Sequence, residues 1–329
     1  MWIEKNILSA TAFVGRVSLD LIVEELSLPE SNTLLSSLGF SGSVYERFQI
    51  LAVTGGLPWY MQQVLPSDTA FSFITRLCFT RGGILVNDFD KILHDLFNKR
   101  SLIYRKLVEA LKDQPLEYQE LCKALDYQPS GRLSDYLNNL ILSGFTRRDY
   151  TWQVGKEQST KISRYRLSDN YLRFYLKYIE KNKVKIDAGK MVISSMSAFP
   201  AWDTVMGFQF ENLILNNRKM LLEFLNIPPE DVVADNIFFQ RQTQIQAGCQ
   251  IDYLIKTKYQ TLYVCEVKFS RDPIGPSVMT EVQEKIRKLV KPKNMNCVPV
   301  LIHVNGVSPG LLEKNYFWKI LDMSEVLSG

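Results

Sequence analysis

The spacing of apolar positions changes character along the chain. Residues 1–97 carry short apolar runs that read as short strands and helices, broken at Pro29, Gly39, Gly42, Gly55, Gly56 and Pro58. Residues 98–125 hold two helical patterns. SLIYRKLVEALKD keeps its apolar residues on one face. After Pro115, LEYQELCKAL turns Leu116, Leu121 and Leu125 inward. In SGRLSDYLNNLILSGF, Leu133, Leu137, Leu140 and Ile141 share a helix face, and Gly144 suits the position just past its end. TRRDYTWQV and KISRYRLS then alternate as two strands around the polar tip Gly155-Lys156-Glu157-Gln158.

Three helices followed by a β-hairpin is the layout of a winged helix. The helix over 130–143 would be its recognition helix and residues 153–161 its wing. From about residue 200 the pattern changes again. DTVMGFQFENLILNN reads as an amphipathic helix, and DNIFFQRQTQ, QIDYLIKT and TLYVCEVKFS as strands. SVMTEVQEKIRKLVK is a helix and NCVPVLIHVN a buried strand. The order α-β-β-β-α-β predicts a three-layer α/β domain.

Composition adds exclusions. The chain has 329 residues, 46% hydrophobic and 22% charged, so disordered and collagen-like classes are out. Two histidines, His94 and His303, exclude a histidine-rich zinc site. Five scattered cysteines with no C-x-x-C pair predict reduced thiols and a cytoplasmic location. No apolar run reaches the roughly 18 residues of a membrane span, and the first residues lack the apolar region of a signal peptide. The net charge of +4 is unevenly spread. Residues 98–190 hold 19 lysines and arginines against 11 aspartates and glutamates, while the rest is slightly acidic. A basic middle predicts contact with a polyanion such as double-stranded DNA; a solvated lysine-rich surface would carry the same charge. Arg147, Arg148, Lys156, Lys161 and Arg164 are the candidate phosphate contacts. Tyr165, Tyr171, Phe174, Tyr175 and Tyr178 are expected in the core behind the wing.

The sharpest chemical pattern lies near the C-terminus. Asp252 sits in one predicted strand, and Glu266 and Lys268 sit two apart in the next, on one face. A hairpin would bring Asp252 beside Glu266, and Cys265 would point to the opposite, buried face. Glu211 is presented by the preceding helix. A charged hairpin edge that resists aggregation could show the same residues.

This D…E-x-K pattern, behind a helix bearing an acidic residue, resembles the PD-(D/E)XK nuclease superfamily. The resemblance implies a Mg²⁺ site on Asp252, Glu266 and Glu211, with Lys268 orienting or activating the attacking water. Gln283 on the following helix would be a further site residue. A second resemblance spans nearly the whole chain. VGRVS, EELSLPES, VTGGLPWYMQQV, the winged helix and SDNYLRFYLKYI occur in the order found in archaeal-type ATPases of the STAND/AAA group. Gly55, Gly56 and Pro58 resemble that family's GGxP element near the adenine. Asp169, Tyr171, Leu172, Arg173 and Phe174 resemble its D-x-Y-L-R-F block.

The chain departs from that family in having no G-x-x-x-x-G-K-[ST] segment, the backbone nest that cradles nucleotide phosphates. The resemblance therefore implies a start near the family's sensor strand, around Ile7-Leu8-Ser9, and ATP binding only where a separate P-loop core is supplied. The expected organisation is an α/β multidomain chain. Residues 1–97 would be the lid part of an ATPase domain, 98–190 a winged helix, and 191–329 a nuclease-like domain. The expected function is that of a DNA-binding, Mg²⁺-dependent nuclease-like C-terminal part of such an ATPase. A non-catalytic regulatory or protein-interaction module is the alternative.

Overall fold

Capping residues write the helix starts of the first third. Ser27, Ser43 and Thr69 each accept an N–H from the first turn of the helix that follows, and Glu30, Glu46 and Ser72 reach back to the cap. They open α1 (Leu28–Ser37), α2 (Val44–Thr54) and α4 (Ala70–Cys78). Between and after these lie α3 (Pro58–Met61) and α5 (Ile84–Phe97). The computed structural model describes residues 23–97, 100–155 and 159–328. Among the described residues before 98 there is no strand, so the short strands expected here are absent from residues 23–97, while the expected sensor-strand segment Ile7-Leu8-Ser9 lies outside the described residues. Short apolar runs fit either period, and here the capping boxes decide.

The middle of the chain follows its pattern closely. It runs α6 (Ser101–Leu111), β1 (Leu116–Glu117), α7 (Tyr118–Ala124), α8 (Gly131–Leu142), β2 (Thr146–Trp152) and β3 (Ser159–Leu167). Ser130 caps α8, and Gly144 ends it at φ +78°. The three strands form an antiparallel sheet in the order β1-β3-β2. Next come α9 (Asn170–Phe174), a π-helical turn (Tyr175–Ile179) and α10 (Glu180–Asp187). Tyr165, Tyr171, Phe174, Tyr175 and Tyr178 are all buried.

The last part holds α11 (Trp202–Asn216), α12 (Arg218–Phe224), β4 (Val232–Gln240), β5 (Cys249–Thr257), β6 (Thr261–Phe269) and α13 (Ser277–Lys288). They are followed by β7 (Asn296–Val304), α14 (Pro309–Leu312), β8 (Lys319–Asp322) and α15 (Met323–Ser328). Sheet order is β4-β5-β6-β7-β8, antiparallel from β4 to β6 and parallel from β6 to β8. A parallel β6–β7 pair needs a crossover, and α13 supplies it. Among the described residues the chain is thus mixed α/β, with two sheets. No helix among the described residues is long and apolar enough to cross a membrane.

Each face of the larger sheet meets a different partner. Tyr253, Ile255, Cys265 and Val300 pack with α11 and the helices of the first third. Leu254, Leu262, Val264 and Leu301 pack with Val278 and Val282 of α13. The first core is continuous from Leu28 to Leu327. It draws on all three sequence blocks, and polar groups cross the block boundaries within it. The Gln209 side chain donates to the Ala52 carbonyl at 2.8 Å and accepts from Arg173 at 2.8 Å. Asn170 donates to the carbonyls of Leu51 and Gln209. Arg166 donates to Asp149 at 2.9 Å and to Asn212. Buried polar groups need such partners, so these bonds join the blocks geometrically as well as by apolar contact.

Candidate functional site

Asp252 owes its position to an irregularity in β5. Asn236 pairs with Leu254 and Phe238 with Ile251, so Asp252 and Tyr253 together face the single residue Ile237. Such a bulge kinks a strand and re-aims a side chain. Pairing of β5 with β6 runs from Lys256–Leu262 to Tyr253–Cys265 and goes no further. Beyond it the Asp252 carboxylate takes over from the ladder, its Oδ2 accepting the Val267 N–H at 3.0 Å. Glu266 and Lys268 share a β6 face with Leu262 and Val264, the face covered by α13. Cys265 points the other way and is fully buried.

The two carboxylates meet at one point, where a lysine absent from the sequence reading sits. The Lys285 ammonium of α13 lies 3.1 Å from Asp252 Oδ1 and 2.5 Å from Glu266 Oε2. Lys268 lies 3.1 Å from Glu266 Oε1 and 2.6 Å from Glu281 Oε2. Each of the four carboxylate oxygens of Asp252 and Glu266 therefore has a donor. Burial, and then the Asp252 charge, pushes the Glu266 carboxyl up, against the pull of Lys285 and Lys268. Burial disfavours the Lys285 ammonium, but Asp252 and Glu266 outweigh it and hold it charged above the usual lysine range.

A clue to Lys285 was present in the sequence. It lies three residues after Val282 and seven after Val278, on the stripe that α13 turns to the sheet. A charged residue on a buried stripe needs a buried partner of opposite sign. Gln283, by contrast, is exposed on the same helix.

Glu211 stands half-buried on α11, a helix that packs against the opposite face of the sheet. Burial, and then the Asp252 charge, raises its carboxyl to about 8, opposed by Arg166, Arg173 and Lys285. It thus belongs to the same electrostatic site. Among the described residues, however, no three carboxylate, imidazole or thiol groups form a close cluster. The close acidic group is the pair Asp252–Glu266, not the expected triad. Lys285 fills the space between the pair, and α11 approaches from the opposite layer.

The basic hairpin is less unified than its sequence suggests. Arg147 faces Arg166 across the β2–β3 pair and Asp149 faces Arg164, so these four lie on one side. Arg148 lies on the other side, its guanidinium over the rings of Tyr150 and Tyr165 and its Nε donating to Ser163 at 2.8 Å. Arg147 and Arg148 are both exposed. Arg164 lies over the Phe239 ring at 4.3 Å. Lys156 and the side chain of Lys161 fall outside the described residues. The hairpin also leans on the larger sheet: Thr151 Oγ1 donates to the Phe239 carbonyl at 2.7 Å.

Gly55, Gly56 and Pro58 form the turn between α2 and α3. The Leu26 N–H donates to the Gly56 carbonyl at 2.8 Å, and the Gly56 N–H donates to Glu25 at 3.3 Å. Pro58 opens α3 and is exposed. Asp169 of the D-x-Y-L-R-F block caps α9, accepting the Leu172 N–H at 2.8 Å, while Tyr171 donates to the Leu85 carbonyl. Both elements have evident structural work where they stand. His94 is exposed, beside Asp95.

No family model matches the chain. An uncharacterized protein of Methanocaldococcus jannaschii is 26% identical to it over 186 residues, 56% of this chain and 40% of that protein. The chain thus spans less than half the length of the curated relative it matches.

Proposed function

We propose that the chain is the C-terminal part of an archaeal-type ATPase of the STAND/AAA group and hydrolyses phosphodiester bonds of double-stranded DNA with Mg²⁺. In this reading residues 191–329 are a PD-(D/E)XK nuclease-like domain, residues 98–190 a winged helix and residues 1–97 the lid part of an ATPase domain. One observation carries the proposal: Asp252 and Glu266 lie on one sheet face with oxygens close enough to share a single cation, and Lys268 stands beside Glu266. Two hard oxygen donors at one point fit Mg²⁺. Bound there, the ion would polarise the scissile phosphate and stabilise its developing charge. Asp252 and Glu266 would hold it, with Glu211 as the third carboxylate, one that already feels the Asp252 charge. Lys268 would orient a water beside Glu266. Arg147 and Arg148 would meet backbone phosphates, which position a duplex without reading its sequence.

One observation favours a second reading. Lys285 already compensates both carboxylates, as expected of a nuclease fold kept for regulation or protein interaction rather than catalysis. Cleavage of duplex DNA decides between them. Under the first reading cleavage requires Mg²⁺ or Mn²⁺, and Asp252→Asn removes both cleavage and the metal-induced rise in Tm. Arg147→Ala with Arg148→Ala should weaken DNA binding and flatten its salt dependence. Intact binding without cleavage at any metal concentration would favour the second reading.

A further inference from the structure

All four oxygens of the acidic pair have donors, but not equal ones. Asp252 Oδ2 is held by a backbone N–H, and Glu266 Oε1 by a lysine that Glu281 also holds. Among the described residues, the remaining oxygens, Asp252 Oδ1 and Glu266 Oε2, are bridged by Lys285 alone. A divalent cation that uses both carboxylates needs those two oxygens. It would have to stand where the ammonium stands, because two cations cannot share one gap of this size.

We infer that Lys285 is a resident cation that holds the Asp252–Glu266 pair closed and must withdraw before a divalent metal ion can bind. The inference rests on the metal-site reading above and adds a competitor to it. The construction of α13 suits the role. Its backbone is tied to β5, the Lys285 carbonyl accepting from Cys249 Sγ at 3.3 Å, so the helix stays in place while the side chain moves. The Lys285 side chain keeps a quarter of its surface exposed, which leaves it a path outward. Glu281, four residues earlier on α13, is an exposed carboxylate within helical reach of the withdrawn ammonium. Lysine, with a flexible stem and a point charge, can make this exchange more readily than a planar guanidinium.

The full chain tests this by Mn²⁺ and Mg²⁺ calorimetry with Tm measurements. Lys285→Gln removes the competitor, so the variant should bind metal at least about tenfold more tightly than the wild type, because no closed state taxes the apparent affinity. Without metal its Tm should fall below the wild type, and saturating Mn²⁺ should raise it by more than it raises the wild type. Lys285→Arg keeps the charge and should keep the weak affinity. Equal or weaker metal binding by Lys285→Gln, with binding still lost in Asp252→Asn, overturns the inference and leaves the metal site standing. No binding by either wild type or Lys285→Gln overturns the metal site itself. Should Lys285→Gln fail to fold, the wild type carries the test. Acylation of Lys285, mapped by mass spectrometry, should increase on adding Mn²⁺, with no such response in Asp252→Asn. Labelling that ignores metal in the wild type overturns the inference.

Discussion

Asp169 shows how one side chain can serve the fold at a cost that depends on pH. As the cap of α9 it is useful, but burial, and then the nearby Glu25, raises its carboxyl from 3.8 to about 7. A carboxyl that holds its proton more tightly in the folded state favours folding at low pH. That contribution is complete below about pH 4 and is lost as pH rises through about 7. Asp169→Asn keeps an acceptor of good capping quality and removes the charge. Urea unfolding should show the variant gaining on the wild type between pH 5 and 8, by an amount on the order of a few kcal/mol at the upper end. A gap that does not change with pH would show that Asp169 does not titrate this way. Lys285 makes a related point. Its importance comes from the two strands it meets, not from its neighbours in sequence.

Among the elements, the turn from α2 to α3 and the helix α11 make opposite demands on glycine. Gly55 takes φ +60° and ψ −157°, a conformation that other residues rarely adopt. A Cβ on Gly56 would stand 2.3 Å from the Leu26 carbonyl oxygen and 2.9 Å from Glu25 Cβ, so the segment running alongside would have to move. Gly56→Ala should therefore cost about 2–3 kcal/mol in denaturant unfolding. Gly207 in α11 has open space at its Cβ position. There alanine should add about 0.5–1 kcal/mol, since a helix interior favours it over glycine. If both variants changed stability alike, packing against residues 25–26 would not be the reason for Gly56. The glycine-rich turn thus has a physical explanation in the fold, independent of any nucleotide.

For the whole molecule, the continuous core argues against three independently folding blocks. α2 meets α11 and β6 through aromatic contacts: Phe48 packs edge-on against Phe210, and both Tyr45 and Phe210 pack against Phe269. Asn170, Gln209 and Asn212 add hydrogen bonds across the same boundaries. Unfolding one block would strand buried polar groups of the next. Calorimetry should therefore show a single transition with matching calorimetric and van't Hoff enthalpies, although chains of this length often unfold in steps. Resolved transitions would mean that the shared core contributes little to cohesion.

The helices and strands of the middle and last blocks were largely legible in the sequence, because their apolar residues recur at 3.6 or 2 positions over eight or more residues. The face shared by Glu266 and Lys268 follows from the same two-residue period, and so does the opposite, buried direction of Cys265. The first block was legible only in part, because its apolar runs are too short to separate the two periods. Four features depended on contacts between residues far apart in the chain. One is the bulge that aims Asp252, since a register slip exists only between paired strands. Another is what Arg147 and Arg148 meet on the two faces of the hairpin, Arg166 across the ladder for one and the Tyr165 ring for the other. A third is the sharing of one core by all three blocks. The last is the seat of Lys285 between two carboxylates, 33 and 19 residues away in sequence. Periodicity along a chain sets which way a side chain points from its own element, but the charge it meets there is set by whichever element packs opposite.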